Sequence, residues 1–412
     1  MDETMKFALI ILTIFLSMLI ACTPGQSPKS VSGLSFDDDG MLIKDGKRTF
    51  IIGSYYLPKS DDPYKNMAEL GYNLIRVEAK QSELDQAQAN GLAVWLSIGS
   101  IDPANFDKGS QAYRQRIRAH KDHPALLFWE MEDEPAWRWN SAESRVKPED
   151  LIKSYRVIKA EDAKHLVYMN HSPTNLVSTL QKYNPANDIV ACDIYPVIPR
   201  GIRLTYALFP DGMQGDLLNT YISQVGEYTD KMRAVAGKGK PVFMVLQGFA
   251  WEMLREAKDR EERMVQYPNY HETRFMAYNA IIHGANGIIY WGTYYTPQPS
   301  PFWTNLAAVT KELGSMQEVL AARAIDLPLT KEYHELGHST DAGVEILAKS
   351  VGGTTYLLTA NADKNPVQVS LHGLRGFTSA TVLSEGRQVK LQGGALTDYY
   401  AAFAVHVYKL EK

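Results

Sequence analysis

Several chemistries lack the residues they would need in this chain. It holds only two cysteines, Cys22 and Cys192, and no Cys-x-x-Cys spacing, so the usual thiol-based zinc and redox motifs are missing. There is no Lys/Arg-rich run and the net charge is −4, which argues against nucleic acid as a partner. No Gly-rich phosphate loop or dinucleotide fingerprint occurs, and a serine nucleophile would want a Gly-x-Ser-x-Gly elbow that is absent. No cofactor is expected. One long apolar run, Phe7 to Ile20, is broken by Thr13 and Ser17 and is shorter than a membrane-spanning helix requires. No repeat of about 20–50 residues is visible. Aromatic residues are plentiful, 23 Tyr and 7 Trp among them. They would suit sugar stacking, but they build ordinary cores as well.

Lys6 ahead of the apolar run gives residues 1–22 the form of a targeting signal. Its end, Leu19-Ile20-Ala21-Cys22, resembles the bacterial lipobox. That resemblance implies cleavage before Cys22, acylation of that cysteine and anchoring in the cell envelope, and Thr23 after the cysteine points to the outer membrane or cell surface rather than the inner membrane. An uncleaved signal anchor is the alternative. Residues 23–33 are rich in Pro, Ser and Gly without apolar period and read as a flexible tether. With Cys22 acylated, Cys192 has no partner for an intramolecular disulfide, so the body must be held together by burial.

From Phe36 to Phe50 two short alternating runs flank Asp45-Gly46, a hairpin signal. Short apolar runs then alternate with helical patterns: Phe50–Tyr55, Leu74–Val77, Leu92–Ile98, Leu126–Met131, His165–Met169, Ile189–Tyr195, Val242–Leu246 and Gly287–Trp291. Eight such runs over about 270 residues predict a closed parallel (β/α)8 TIM barrel, an architecture of typically ~250 residues. A doubly wound open sheet is the alternative, and it would want the phosphate loop that is missing. Beyond about Ile325 the runs become short, strand-like and separated by Gly, Asn, Asp or Pro, which predicts a C-terminal all-β sandwich whose last strand is Ala401–Tyr408. The expected division is thus a barrel over 34–324 and a sandwich over 325–412.

Reactive groups of such a barrel project from the C-terminal ends of its strands. Those ends are polar here: Arg76-Val77-Glu78 after the second run, Glu130 to Pro135 after the fourth, Asn170-His171 after the fifth, Asp193-Ile194-Tyr195 after the sixth and Gln247-Gly248 after the seventh. Buried polar groups need partners, so this many at strand ends points to a use.

The segments Gly71-Tyr72-Asn73-Leu74-Ile75-Arg76, His123-Pro124 through Phe128-Trp129 to Asp133-Glu134-Pro135, Gly239-Lys240-Pro241-Val242-Phe243-Met244 and His283-Gly284-Ala285-Asn286-Gly287-Ile288-Ile289-Tyr290-Trp291-Gly292 resemble the clan A glycoside hydrolases. They span a little over half of the chain in the expected order. The resemblance implies a carbohydrate substrate, an acid/base Glu after strand four and a nucleophilic Glu after strand seven. The first position matches Glu134, whose neighbours Glu132 and Asp133 would favour its protonated form; the alternative is that Asp133 and Glu134 cap a following helix opened by Pro135. The second position holds Gln247, a poor nucleophile. A recruited carboxylate (Glu78, Asp193 or Glu252), a substrate that supplies its own nucleophile beside Asp133-Glu134, or a barrel that binds sugar without cleaving it would each explain that replacement.

Arg76, Asn170 and His171 are candidates for hydroxyl or carboxylate contacts, and Tyr55, Tyr195 and Trp291 for stacking, with Tyr56, Trp137 and Trp139 on loops of the same mouth. Each has an ordinary structural alternative: an ion pair for Arg76, a packed histidine for His171, a core cap for the rings. His334-Glu335-Leu336-Gly337-His338 matches the zinc pattern His-Glu-x-x-His, but it sits between Pro328 and a Ser-Thr-Asp-Ala-Gly turn, where the long helix that motif requires has no room; no metal site is expected. The functional expectation is a glycoside hydrolase of the cell envelope, with a catalytically silent glycan-binding lipoprotein as the competing reading and a purely structural envelope protein third.

Overall fold

The computed structural model describes residues 33–138, 143–199 and 219–412. The signal segment, Cys22, most of the tether and Trp139 lie outside them. No helix among the described residues is long and apolar enough to cross a membrane.

Strands β1 (Leu34–Phe36), β2 (Leu42–Lys44) and β3 (Lys47–Thr49) form an antiparallel meander. Its second turn is the expected Asp45-Gly46, both residues at positive φ (52° and 75°), the geometry of a tight hairpin turn. Leu34, Phe36 and Leu42 pack with the barrel's inward-facing apolar residues, and the Asn286 amide donates to Asp39 O at 3.2 Å. The meander therefore closes the barrel at the N-terminal ends of its strands.

The barrel itself is the predicted one. Its parallel strands are β4 (Ile51–Ser54), β5 (Leu74–Val77), β6 (Ala93–Ser97), β7 (Leu126–Glu130), β8 (Leu166–His171), β9 (Ile189–Ile194), β10 (Val242–Gln247) and β11 (Gly287–Trp291), and β11 pairs with β4 to close the ring. Because side chains alternate along a strand, each strand feeds two layers. Ile51, Leu74, Trp95, Phe128, Tyr168, Ala191, Phe243 and Ile289 fill the barrel. Ile52, Ile75, Val94, Trp129, Met169, Val190, Met244 and Ile288 meet the surrounding helices. Both faces being buried, the strands are nearly continuous apolar runs.

C-terminal to the barrel lie β12 (Thr330–His334), β13 (Val344–Val351), β14 (Thr354–Asn361), β15 (Val367–His372), β16 (Ser379–Val382), β17 (Arg387–Lys390), β18 (Ala395–Tyr400) and β19 (Val405–Glu411). They form two antiparallel sheets, β12-β15-β18 and β13-β14-β19-β16-β17. Val367, Val369, Leu371, Leu396 and Tyr400 of the first sheet interdigitate with Leu357, Ala380, Val382, Tyr408 and Leu410 of the second, which makes a β-sandwich. The second sheet's other face is also covered: Leu358, Ala360, Val405 and Val407 join the barrel's helix layer. The helix Tyr270–Ile282, started by a reciprocal Asn269/Glu272 capping box, is the element caught between. From Thr273 to Ile281 it is buried all round, with Arg274 donating to Val405 O at 2.6 Å and pairing with buried Glu312, so this stretch lacks the polar stripe of a surface helix.

The expected last strand Ala401–Tyr408 is a turn followed by the first half of β19; Tyr400 ends β18 and the chain changes sheet through Phe403 at φ 55°. Tyr399 to Val407 is apolar enough to look continuous, but Tyr400 faces the sandwich core while Phe403 crosses to Phe275 of the barrel helices, rings 5.2 Å apart. The edge strand β12 is polar and β18 is mixed, so neither carries an apolar run. The His-Glu-x-x-His segment is the end of β12 and a loop, so its histidines do not share a helical face.

Candidate active site

The alternation that fills the barrel also decides which residue each strand presents at its C-terminal mouth. Counting outward from the apolar layer gives Tyr55, Arg76, Ser97, Glu130, Asn170, Asp193, Gln247 and Trp291 as the last inward positions. A cleft of about 690 Å³ opens there, lined by Tyr55, Arg76, Glu130, Asp133, Glu134 and Trp291 among others.

Glu130 forms its floor, 4% exposed. Oε1 accepts the Tyr55 hydroxyl at 3.0 Å, and Oε2 accepts Arg76 Nε at 3.3 Å and Trp95 Nε1 at 3.4 Å. Burial pushes this carboxyl above its ordinary value, and the Arg76 charge opposes the shift. In the sequence Glu130 stands only as the first polar residue of a strand end, with nothing beside it to mark a role.

Beyond Glu130 the chain stays beside β8, with Met131 N donating to Tyr168 O and Glu134 N to Asn170 O, each at 3.0 Å. Glu134 has φ 43°, a left-handed backbone that costs a non-glycine residue about 1–3 kcal/mol and collects at functional sites. Residues 133–136 are bends and turns, and among the described residues the next helix starts at Pro148, so Asp133 and Glu134 cap no helix. The loop is pinned from outside: Glu132 Oε1 accepts Ser100 Oγ at 2.7 Å, Glu132 Oε2 accepts Arg145 Nη1 at 2.8 Å, and Arg145 also donates to Asp133 O.

Three acids meet around one amide. Asn170 Nδ2 donates to Asp133 Oδ1 at 2.9 Å and to Asp193 Oδ1 at 3.0 Å. Glu134 and Asp193 are themselves hydrogen-bonded through their side chains, which requires a proton between them. Burial first, then the charges of Asp193 and Asp133, push Glu134 far above the usual carboxylate range. Burial and Asp133 also raise Asp193, which the Asn170 amide and the Glu134 bond partly offset. Glu134 is thus an acid kept protonated, with Asp193 as the acceptor of its hydrogen bond.

On the opposite side the wall is aromatic. Trp291 stacks on Tyr195 at 5.6 Å and meets Tyr56 edge-on at 6.4 Å, while Tyr294, 58% exposed, continues the wall outward from Tyr56. Tyr195 stands behind Trp291 and against Phe249, supporting the half-buried indole. Gly248 holds β10 and β11 together at this end, its N–H on Trp291 O at 2.8 Å, where a Cβ would come within 2.6 Å of that oxygen.

The remaining sequence candidates lie elsewhere. Gln247 is wholly buried: Oε1 accepts Val197 N at 2.9 Å, and Nε2 donates to Val197 O at 2.9 Å and Phe249 O at 3.0 Å. Its amide is spent on backbone and does not line the cleft. Glu78 is exposed and paired with Lys80. Glu252 is buried in its own loop, accepting Glu261 N at 2.7 Å and Arg255 at 3.0 Å. His171 points to the helix layer, edge-on to Tyr183 at 6.0 Å, and burial lowers its pKa to about 3; it is a neutral packed ring.

No protein-family model and no curated protein matches the chain. Solved structures do. The fold is similar to that of a glycoside hydrolase at 16% identity, TM-score 0.59, covering 92% of this chain and 97% of the other. It is similar to a family 5 glycoside hydrolase from Bacteroides vulgatus at 14% identity, TM-score 0.58, covering 92% and 94%. A family 42 β-galactosidase from G. stearothermophilus follows at 9% identity, TM-score 0.55, covering 88% and 98%. At these identities the likeness is one of fold: the chain has the closed barrel of glycoside hydrolases.

Proposed function

We propose that the chain is a glycoside hydrolase of the cell envelope, with Glu134 as general acid and base on an oligo- or polysaccharide. The observation that carries this reading is a carboxylic acid kept protonated by burial and by the charges of Asp193 and Asp133, on one wall of a cleft whose other wall is aromatic. Breaking a glycosidic bond requires a proton for the departing oxygen, and an acid of raised pKa holds it until that oxygen gains charge in the transition state. The ring faces of Trp291 and Tyr56 offer stacking to a sugar's apolar side. The envelope location rests on the lipobox at Cys22.

A second reading, glycan binding without cleavage, is favoured by one observation: the end of β10 offers no carboxylate, because Gln247 is committed to Val197 and Phe249. Turnover separates the two. Protein lacking residues 1–22, screened on aryl glycosides and on plant, host and bacterial glycans, is expected to release sugar. Glu134→Gln is expected to lose about 10²–10⁴-fold on glycans while sparing affinity, and to lose least on substrates with activated leaving groups. Tight glycan binding by the wild type with no product on any substrate would leave the binding reading.

A further inference from the structure

The position at the end of β10 being amide, a hydrolase on this barrel must take its second carboxylate from elsewhere. Four acids other than Glu134 are disposed of by their contacts: Glu78 is out on the surface with Lys80, Glu252 is bound into its loop by Glu261 and Arg255, Asp193 accepts the acid's own hydrogen bond, and Asp133 is tied to Asn170. Glu130 differs from all four. It lines the same cleft as Glu134, it is the last inward residue of β7, and the groups that hold it are donors: a guanidinium, a phenol and an indole. Donors of that kind favour the ionised form and fix the rotamer, which is what a carboxylate nucleophile requires.

We propose that Glu130 is the second catalytic carboxylate, attacking the anomeric carbon from the cleft floor; this rests on the hydrolase reading above. Oε2 carries the Arg76 and Trp95 bonds and Oε1 only that of Tyr55, so Oε1 is the attacking atom. Its lone pair forms a bond to the anomeric carbon as the bond from that carbon to the leaving oxygen breaks; the leaving oxygen takes the electron pair and the Glu134 proton. In the second step a water oxygen bonds to the anomeric carbon, the ester bond breaks and returns its electron pair to Glu130, and the water's proton goes to Glu134. Arg76 and Tyr55 are positioning residues that stabilise the departing carboxylate.

The test begins with 4-nitrophenyl gluco-, galacto-, manno- and xylosides. For the sugar turned over fastest, the 2-deoxy-2-fluoro glycoside with an activated leaving group is incubated with wild-type protein, and the digest is searched for the added sugar mass. The expected ester is on Glu130. Glu130→Gln, which keeps the side chain's shape, is expected to lose more than about 1000-fold with activated and unactivated substrates alike, unlike Glu134→Gln. Glu130→Ala with sodium azide should regain turnover and yield a glycosyl azide of inverted configuration, because azide enters from the vacated face; a merely structural carboxylate gives no such product. An ester on another acid, no ester in an enzyme that turns over, or wild-type rates in Glu130→Gln would overturn the assignment of Glu130 and leave the hydrolase reading intact. Absence of turnover by the wild type on every substrate would overturn both.

Discussion

Gln247→Glu restores the residue type that the glycosidase resemblance places at the end of strand seven, yet the contacts of Gln247 argue that it destabilises without activating. The wild-type amide accepts one bond and donates two, all to backbone and all buried. An ionised carboxylate keeps the bond from Val197 N but strips Val197 O and Phe249 O of their donors and places negative charge against them. Each buried group left unsatisfied costs about 1–3 kcal/mol, so the variant loses about 2–6 kcal/mol when ionised. When protonated it can donate one O–H and the loss falls to about 1–3 kcal/mol. The introduced carboxyl therefore has a folded pKa above its unfolded value of about 4.3, and the folded state binds more protons. The deficit is smallest below about pH 4.3 and grows as pH rises toward the folded pKa. Urea unfolding of both proteins at about pH 4.5 and about pH 7.5 should show a gap that widens with pH. Equal stability at the higher pH, or glycosidase activity gained by Gln247→Glu, would refute the clamp.

Three further outcomes follow from the contacts around the cleft and the sandwich. Asp193→Asn removes a negative neighbour of Glu134, so the Glu134 proton is lost at lower pH and the alkaline limb of kcat/KM should move acidward; an unmoved limb would show that Asp193 does not hold that proton. His171→Leu should leave KM unchanged, and because a histidine with depressed pKa destabilises the fold as pH falls below about 6.5, the variant should lose less stability than wild type on acidification; a raised KM would return His171 to the substrate. We further propose that the chain divides near residue 325, and truncation after Asp398 removes β19, the centre of the five-stranded sheet, so the melting temperature should drop or folding fail; unchanged melting would contradict this placement.

The barrel was legible because its signal is local and repeated. Parallel strands buried on both faces read as apolar runs, and seven of the eight predicted runs lie within one residue of the strand ends; β8 extends two residues further, through Asn170 and His171. The sandwich was less legible where strands are polar or abut: β12 reads Thr-Lys-Glu-Tyr-His, and the crossing from β18 to β19 hides inside an apolar run. The position of Glu134 was legible for the same local reason, because its Asp-Glu-Pro corner directly follows an apolar run. Its protonation was legible only in part: Asp133 is adjacent in sequence, while Asp193 and the Asn170 bridge arrive from other strands.

What the sequence hid is which face each strand-end residue takes and what non-local partner claims it. Asn170 and His171 are consecutive, so one must face the cleft and the other the helices. A run that is apolar on both faces gives no phase to choose between them; Tyr168 in the barrel interior supplies it, and Asn170 is the inward one. Phase alone does not suffice, however. Gln247 has inward phase, but the backbone of Val197, 50 residues away, takes up its amide. Glu130 looks like a strand residue with an unpaired charge, because its partners Trp95, Arg76 and Tyr55 are 35, 54 and 75 residues distant. The two glutamates thus divide by the range of their contacts. The acid is placed by its own loop and could be read from the chain, whereas the floor carboxylate exists as an anchored group only once three other strands have closed around it.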